Sequence, residues 1–356
     1  MSTTGMTLED RALLVGMASD LFGRTTPLMG RAAATDADLG RKIWRDVEQA
    51  ELGRVGVEVE KGGAGGGLAD ACALLRTAAR FAPPVPLAET QLAAWLLAEA
   101  GIPIPEGPLA IAPTAFVPAA ALAADGSFAP GQRPLPPVPF AGFARHLAVF
   151  CESGGAPAVA LVDLEAAQLT PAQSFSGDPW ATVDLSGVRP IATAEVGLTL
   201  DDMLARGALY RAQQIAGALA RVLELTVAYA GERVQFGRPI ARFQAIQYHL
   251  ADVAAETMAA SVAAEAAADL AESGDLLAAA AIAKSRTGLA VRAAAVAHQV
   301  HGAIGVTEEH PLHLFTRRIW DWRDDFGSDV EWSGRLGRQI AKAGADALWP
   351  EVSKIS

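Results

Sequence analysis

The C-terminal part of the chain, from about Leu198 to Leu348, is rich in alanine and carries apolar residues at helical spacing. One stretch places side chains three and four positions apart on a single helix face: Phe243, Ile246, Leu250, Val253 and Thr257. Such a face is typically buried against neighbouring helices. Several long helices in series, with a turn at Gly274 and Asp275, predict a four-helix bundle.

The first hundred residues also show a helical pattern, interrupted by glycine and proline. A first helix is expected to start after Thr7, whose side chain suits the N-cap position. Further helices are predicted over residues 39–52, 68–81 and 92–100. The glycine-rich stretch 61–67 lacks the spacing of a phosphate-binding loop, so we favour a plain turn there over a phosphate cradle.

The middle of the chain contains most of the prolines and several short β-like runs. These runs cover residues 147–151, 159–162 and 181–185, separated by Gly, Pro and Asp turns. We predict a small antiparallel barrel or sandwich. The predicted fold class is therefore α+β, with an N-terminal α-helical domain over residues 1–101, a middle β domain over 102–195 and a C-terminal four-helix bundle over 196–356.

The composition excludes several classes of protein. Of the 356 residues, 51% are hydrophobic and 19% are charged, so the chain can bury a large core and is not intrinsically disordered. The net charge of −11 argues against nucleic acid or an anionic membrane as partner. With no membrane-spanning stretch and no signal peptide, we expect a cytoplasmic protein. Cys72 and Cys151 are expected to be buried, reduced thiols.

The stretch Gly231–Ile240 (GERVQFGRPI), followed by Phe243 and Gln244, lies between two predicted long helices. Arg233 offers a forked cation that suits a phosphate group. Phe236 offers a ring face, and Gln244 offers an amide that can pair with the edge of a heterocycle. The alternative is an ordinary helix connection with solvated charges.

A second stretch, 298–305 (HQVHGAIG), ends a helix in a loop of small residues, and Glu309–Pro311 (EHP) begins the next helix. Together the two stretches closely resemble the signature regions of the acyl-CoA dehydrogenase family. Those read Glu-Arg-x-x-Phe-Gly-x-x-Ile-x-x-x-Gln, then Gln-x-x-Gly-Gly-x-Gly, then Glu-Tyr-Pro. The resemblance follows the order of the blocks over nearly the whole chain, including segment 81–90 (FAPPVPLAET), and is most specific in the C-terminal third.

The resemblance implies a flavoprotein that desaturates an acyl-CoA thioester between its α and β carbons, with FAD as cofactor. Arg233 would then meet the pyrophosphate, and later residues would meet the adenosine half. The full set of residues that the resemblance places along FAD is Arg233, Gln235, Phe236, Ile240, Phe243, Gln244, Gln299, Gly302 and Ala303. In this family the adenosine half of FAD crosses to the neighbouring subunit of a dimer. These residues would therefore serve a flavin seated mainly in a partner chain.

The chain departs from the family pattern at the catalytic base. The usual base is a glutamate just before Gly-Thr, and here Phe326 stands at that position, before Gly327 and Ser328. An alternative base position used by some relatives falls near Gly207, which has no acidic side chain either. The loop and the Trp-Ile-Thr segment that pack on the flavin ring have no counterpart, since residues 143–150 read FARHLAVF. No catalytic residue is assigned.

These losses fit one subunit of a heteromeric α2β2 acyl-CoA dehydrogenase, similar to the paired enzymes of actinobacterial steroid side-chain degradation. A second acyl-CoA dehydrogenase-like subunit would supply the flavin ring and the base. Electrons would pass to an electron-transfer flavoprotein or a similar acceptor. One alternative is a self-sufficient homo-oligomer that uses an unusual base such as Asp325. Another is a scaffolding subunit that has lost its flavin.

Two further clusters admit a structural and a functional interpretation. His298, His301, His310 and His313 have spacings that a metal could use, but we favour a cofactor loop and a helix cap, and no metal is predicted. Arg317, Arg318 and Arg323 lie close to Trp320 and Trp322 and could bind a nucleotide. We favour a helix in which those arginines pair with the acidic neighbours Asp321, Asp324 and Asp325.

Overall fold

The computed structural model describes residues 5–26, 37–112, 120–344 and 346 of the chain. Four helices come first: α1 (Leu8–Thr25), α2 (Ala37–Gln49), α3 (Leu68–Ala79) and α4 (Leu87–Glu99). Thr7 caps α1 as predicted, because its side chain accepts a hydrogen bond from the amide of Asp10. Helix α4 begins five residues earlier than predicted, directly after Pro86, since proline fits at the start of a helix.

The middle segment forms two small sheets. The strands are β1 (Leu109–Ile111), β2 (Ala120–Ala121), β3 (Leu135–Val138), β4 (His146–Ser153), β5 (Ala156–Asp163), β6 (Gln168–Ala172), β7 (Trp180–Asp184) and β8 (Ala192–Glu195). One sheet has the order β1-β4-β5-β8 and the other β3-β7-β6. The three predicted strands are β4, β5 and β7.

The prediction of a purely antiparallel arrangement is wrong at one edge of the first sheet. Strands β1 and β2 both pair with β4 in parallel, with Leu109 opposite His146 and Ala120 opposite Cys151. The two short strands follow one another along the same edge of β4, so both run in the direction of β4. The remaining pairs, such as β4 with β5, are antiparallel.

The C-terminal part is helical, with one exposed hairpin. It comprises α5 (Leu200–Glu232), the hairpin strands β9 (Val234–Gln235) and β10 (Arg238–Pro239), α6 (Gln244–Glu272), α7 (Leu276–Ala290), α8 (Arg292–His301), α9 (Leu312–Asp324) and α10 (Asp329–Ala343). Helix α5 packs against α6, α7, α8 and α9. Asp275 caps α7 after the predicted turn at Gly274. The predicted α+β class, with helices, then strands, then a helical bundle, is confirmed.

The N-terminal helices pack tightly on the bundle. A Cβ atom added at Gly217 of α5 would collide with the carbonyl oxygen of Arg76 in α3, so glycine permits the two backbones to touch. One large apolar cluster joins α1–α4 to α5 and α7, and a second cluster lies within the bundle. Cys72 and Cys151 are both buried free thiols, as predicted. The domain boundaries at residues 101 and 195 stay predictions.

Candidate functional site

The first motif forms an exposed hairpin at one end of the bundle. Helix α5 ends at Glu232, and β9 and β10 pair Gln235 with Arg238. Phe236 and Gly237 form the turn in the left-handed region, at φ +50° and +79°. Gly237 has no steric cost there, whereas Phe236 adopts a strained backbone, and such strain is common at functional sites. The Phe236 side chain is 92% exposed.

Rings and cations are interleaved on this hairpin. The rings of Phe236 and Phe243 meet edge to face with centroids 6.1 Å apart. The guanidinium carbon of Arg238 lies 4.3 Å from the centroid of the Phe243 ring, in a cation–π contact. In the part of the chain that the structure describes, Arg233, Arg238 and Arg242 form no ion pair. An unpaired group of arginines in a chain of net charge −11 is suited to an anionic ligand.

The second motif lies beside the first. Helix α8 ends at His301, and Gly302 at φ +63° starts a short loop of small residues. The ring of Tyr229, near the end of α5, stacks on the His301 ring with centroids 4.6 Å apart. The amide of Arg233 donates a hydrogen bond to the carbonyl of Tyr229. This contact therefore places the loop after α8 next to the start of the hairpin.

The residues predicted to bind a cofactor all lie at the surface. Ile240 and Phe243 are half-buried, and the exposed ones are Arg233, Gln235, Phe236, Gln244, Gln299, Gly302 and Ala303. Gln244 does not have a free amide, because its Nε2 donates to the hydroxyl of Tyr248 at 2.8 Å. Such a surface can hold one side of a dinucleotide.

The four histidines of the predicted cofactor loop and helix cap lie close together, and the rings of His301 and His310 are in contact. The His310 ring is tilted by 58° against the His301 ring, with 4.5 Å between the two imidazole centroids, while Tyr229 stacks on His301. Nδ1 of His301 donates to the carbonyl of Ala297, and its Nε2 has no hydrogen-bond partner among the described residues. His310 accepts from the amide of Leu312 at the start of α9. No group of three or more potential ligands in the described residues could hold a metal ion.

Acid is expected to destabilise this cluster. Burial, together with nearby histidines, lowers the pKa of His310 from 6.5 to about 4. Because its pKa is lower in the folded state, the unfolded chain takes up the proton first as the pH falls below 6.5. Allowing for partial solvent exposure, the free energy of unfolding falls by about 1–2 kcal/mol by pH 4. Urea unfolding between pH 6.5 and pH 4 should show this loss of unfolding free energy, and His310→Asn should make it smaller. If the unfolding free energy of the variant fell with pH as steeply as that of the wild type, the role of His310 would be contradicted.

The family resemblance gives two candidate positions for a catalytic base, 326 and 207, and the ring of Phe326 fills the space between them. A Cβ atom added at Gly207 of α5 would collide with this ring, so the phenyl group lies directly on the glycine. Phe326 is only 4% exposed and has φ +56°. Its carbonyl accepts from Nε1 of Trp332 at 2.9 Å. The described residues therefore leave no space for an acyl group between Gly207 and position 326.

A buried charge cluster lies next to this ring. Arg211 donates to Asp325 at 2.9 Å and to Glu89 at 2.6 Å. Nζ of Lys284 donates to the carbonyls of Trp322 and Asp325, at the C-terminal end of α9. Burial raises the pKa of Asp325 and lowers that of Lys284. The Asp325 carboxylate faces Arg211, so it is not placed to take a proton from a substrate.

The seam between the β domain and the bundle is closed by polar contacts. Arg318 of α9 forms a buried ion pair with Asp178, at 2.7 Å. The carboxylate of Asp321 accepts from the amides of Phe175 and Ser176, at 3.0 and 2.8 Å. A cavity at this seam, lined by Asp178, Arg318 and Trp322 among others, has a volume of about 20 Å³, enough for one water molecule.

The predicted pairing of the α9 arginines with their acidic neighbours is wrong. Arg318 pairs with Asp178 and Arg323 pairs with Asp329. Residues three and four positions apart lie on one helix face, so helix geometry alone would have allowed the predicted pairs. Asp321 is instead held by the amides of residues 175–176 and Asp325 by Arg211, so partners from other segments take the place of the predicted ones.

Two sequence features near the N-terminus and in the β domain have structural roles. The glycine-rich stretch 61–67 is a turn, as predicted: the amides of Gly63, Gly65 and Gly67 donate to Glu58, Val57 and Asp70. Those amides are thus unavailable to a phosphate. Residues 147–150, which stand where the Trp-Ile-Thr segment would be, are buried in β4. They offer no exposed platform for a flavin ring.

Comparison with known proteins shows the family. The family model for the acyl-CoA dehydrogenase C-terminal domain matches residues 199–320. Acyl-CoA dehydrogenase IpdE2 of Mycobacterium tuberculosis is 33% identical over 317 residues, covering 87% of this chain and 91% of that protein. IpdE2 of Mycolicibacterium smegmatis is 30% identical and covers 93% of this chain and 99% of its own length. The chain belongs to the acyl-CoA dehydrogenase family, an oxidoreductase class.

Solved structures of the same fold include a steroid ACAD and the ChsE4–ChsE5 complex. A variant of the steroid ACAD Tcur3481–Tcur3483 aligns with a TM-score of 0.82 and 26% identity, covering 94% of this chain and 98% of that chain. The ChsE4–ChsE5 complex of Mycobacterium tuberculosis aligns with a TM-score of 0.84 and 23% identity, over 96% and 99%. None of the described helices is long and apolar enough to cross a membrane.

Proposed function

We propose that this chain is one subunit of a heteromeric, FAD-dependent acyl-CoA dehydrogenase that desaturates an acyl-CoA thioester between its α and β carbons. The observation that carries the proposal is the contact of Phe326 with Gly207, which fills both candidate base positions with a phenyl ring and no carboxylate. A phenyl ring cannot take a proton, so a partner subunit supplies the base.

The contribution of this chain is an adenosine-binding surface. Arg233 presents an unpaired guanidinium on the exposed hairpin, where it can hold a pyrophosphate with two parallel hydrogen bonds. Gly302 and Ala303 lie in an exposed loop beside it, and their small size lets a ligand approach the backbone. FAD would supply the acceptor for the hydride from the β carbon, and the partner would hold the flavin ring.

The relatives support a heteromer and a bulky substrate. The steroid ACAD Tcur3481–Tcur3483 and the ChsE4–ChsE5 complex each bear the names of two components and contain a chain similar to this one. We therefore infer an α2β2 assembly with a second acyl-CoA dehydrogenase-like subunit, acting on an acyl-CoA with a steroid-derived acyl chain. An electron-transfer flavoprotein or similar protein would accept the electrons, in the cytoplasm. A self-sufficient enzyme with Asp325 as base has less support, since Arg211 holds that carboxylate.

Substitution of Arg233 tests the adenosine surface. Arg233→Ala in the assembled complex should weaken FAD binding about ten- to hundredfold, the usual effect of losing a charge-assisted hydrogen bond. The FAD that the complex retains after gel filtration, measured by its absorbance, reports the change in FAD affinity directly. Arg338→Ala, at an exposed arginine of α10, is the matched control and should keep its flavin. Unchanged flavin content in Arg233→Ala would favour the scaffolding alternative.

A further inference from the structure

One tyrosine ring lies against two histidine rings at the end of the bundle that carries both motifs. The ring of Tyr229 stacks on the ring of His301, with 4.6 Å between the centroids and 19° between the planes. The ring of His310 meets the same tyrosine edge to face, at 5.9 Å. We call these three side chains the aromatic clamp. None of them belongs to the adenosine surface.

Each ring of the aromatic clamp comes from a different segment of the chain. Tyr229 lies in the last turn of α5, and its carbonyl accepts a hydrogen bond from the amide of Arg233 at 2.9 Å. His301 is the last residue of α8, and His310 lies just before the start of α9. The aromatic clamp therefore holds both ends of the loop 302–309 against the base of the hairpin.

The loop 302–309 depends on the aromatic clamp for its position. Gly302 and Ala303 are exposed, and a Cβ atom added at Gly302 would meet no other atom within 4 Å. Gly305 is buried, and an added Cβ atom there would lie 2.8 Å from the Cβ atom of His301. An exposed segment of small residues has little packing of its own, so its position is set where the clamp holds it.

Hydrogen bonds fix the orientation of both imidazole rings. Nδ1 of His301 donates to the carbonyl of Ala297 at 2.8 Å, and Nδ1 of His310 accepts from the amide of Leu312 at 3.2 Å. Burial lowers the pKa of both histidines, so both rings are neutral at pH 7. Neutral rings pack side by side without the repulsion that two imidazolium groups would have.

We propose that Tyr229 and His301 are positioning residues for FAD, because their stack sets the spacing between Arg233 and the backbone at Gly302. The inference rests on the proposed function, in which these two parts form the adenosine surface. A ligand that spans two segments binds more tightly when both are already held at the right distance, since less freedom is lost on binding. His301 is only 3% exposed, so it acts through the loop that follows it and not by touching the ligand.

The test removes the tyrosine ring and keeps an apolar side chain in its place. Tyr229→Leu in the assembled complex should weaken FAD binding about tenfold, the effect of losing two aromatic contacts. Tyr229→Phe is the matched control, because it keeps the ring, and it should bind FAD within about twofold of the wild type. Flavin fluorescence, followed as FAD is released on dilution of the complex, measures the dissociation constant. The melting temperature of each lone variant reports its folding.

A double variant separates positioning from a general loss of stability. If the stack acts through Arg233, adding Tyr229→Leu to Arg233→Ala should weaken FAD binding by less than the product of the two separate effects. Effects that multiply in full would overturn the inference. His301→Leu removes the other ring of the stack and should match Tyr229→Leu, so it provides the same test if Tyr229→Leu does not fold.

Unchanged FAD affinity in Tyr229→Leu would also overturn the inference, and so would an equal loss in Tyr229→Leu and Tyr229→Phe, because the ring would not be the cause. If Arg233→Ala still lost its flavin in the same complexes, the proposed function would stand without the aromatic clamp. If neither Arg233→Ala nor Tyr229→Leu changed FAD binding, the adenosine surface itself would be wrong.

Discussion

Replacing Arg211 by methionine is expected to lower the free energy of unfolding by about 3–5 kcal/mol, because it removes the guanidinium that bonds two buried carboxylates. Arg211 connects the N-terminal helices to the bundle, because its guanidinium donates hydrogen bonds to Glu89 of α4 and to Asp325 after α9. Methionine keeps most of the side-chain volume, so the loss is electrostatic rather than steric. Urea unfolding followed by tryptophan fluorescence at neutral pH measures the effect.

Two controls show whether charge is the cause. Adding Glu89→Gln and Asp325→Asn to Arg211→Met removes the unpaired charges and should recover much of the loss. Arg335→Met removes an ion pair with Asp201 that is largely exposed, and it should cost about 1 kcal/mol or less. If Arg211→Met were as mild as Arg335→Met, the buried cluster would not be the connection that we describe.

Phe326→Ala is expected to lower the free energy of unfolding by about 3–5 kcal/mol, the usual cost of a buried phenyl ring and the cavity that it leaves. The ring is nearly fully buried and rests on the backbone at Gly207, which cannot move into the space. Phe326→Leu, which keeps most of the volume, should cost much less. A loss below about 1 kcal/mol for Phe326→Ala would mean that the ring does not pack as described.

Phe326→Glu tests the functional meaning of the same residue. It restores the side chain that the family uses as a base, beside the Arg211 guanidinium, whose carbon lies 5.7 Å from the ring centroid. We expect the lone variant to bind no flavin and to show no turnover, because a carboxylate alone does not rebuild the ring site. Turnover by the lone variant would favour the self-sufficient alternative.

Local patterns predicted the helices and the exposed motifs, but not the contacts between distant segments. The apolar spacing from Phe243 to Thr257 predicted α6, and the two motifs led to surfaces at one end of the bundle. In contrast, Glu89 and Asp325 are 122 and 114 residues from Arg211. No local signal links them, since each is an ordinary charged residue in a helical pattern.

The contact between Phe326 and Gly207, the two candidate base positions, is another contact between distant segments that local patterns do not predict. The sequence alone shows that phenylalanine stands at position 326, where the family has a glutamate, and that glycine stands at position 207. That the two positions touch depends on how α5 packs against the turn after α9, which spacing along the chain does not encode. The left-handed backbone of Phe326 was also not predictable, because a phenylalanine rarely adopts it.

The most direct test of the central claim is FAD stoichiometry combined with native mass. The chain is purified alone, and then co-expressed with a dehydrogenase-like protein encoded next to it. We expect a lone chain without flavin and a yellow complex of two kinds of subunit with about one FAD per pair. A yellow homo-oligomer of this chain, with one FAD in every subunit, would contradict it.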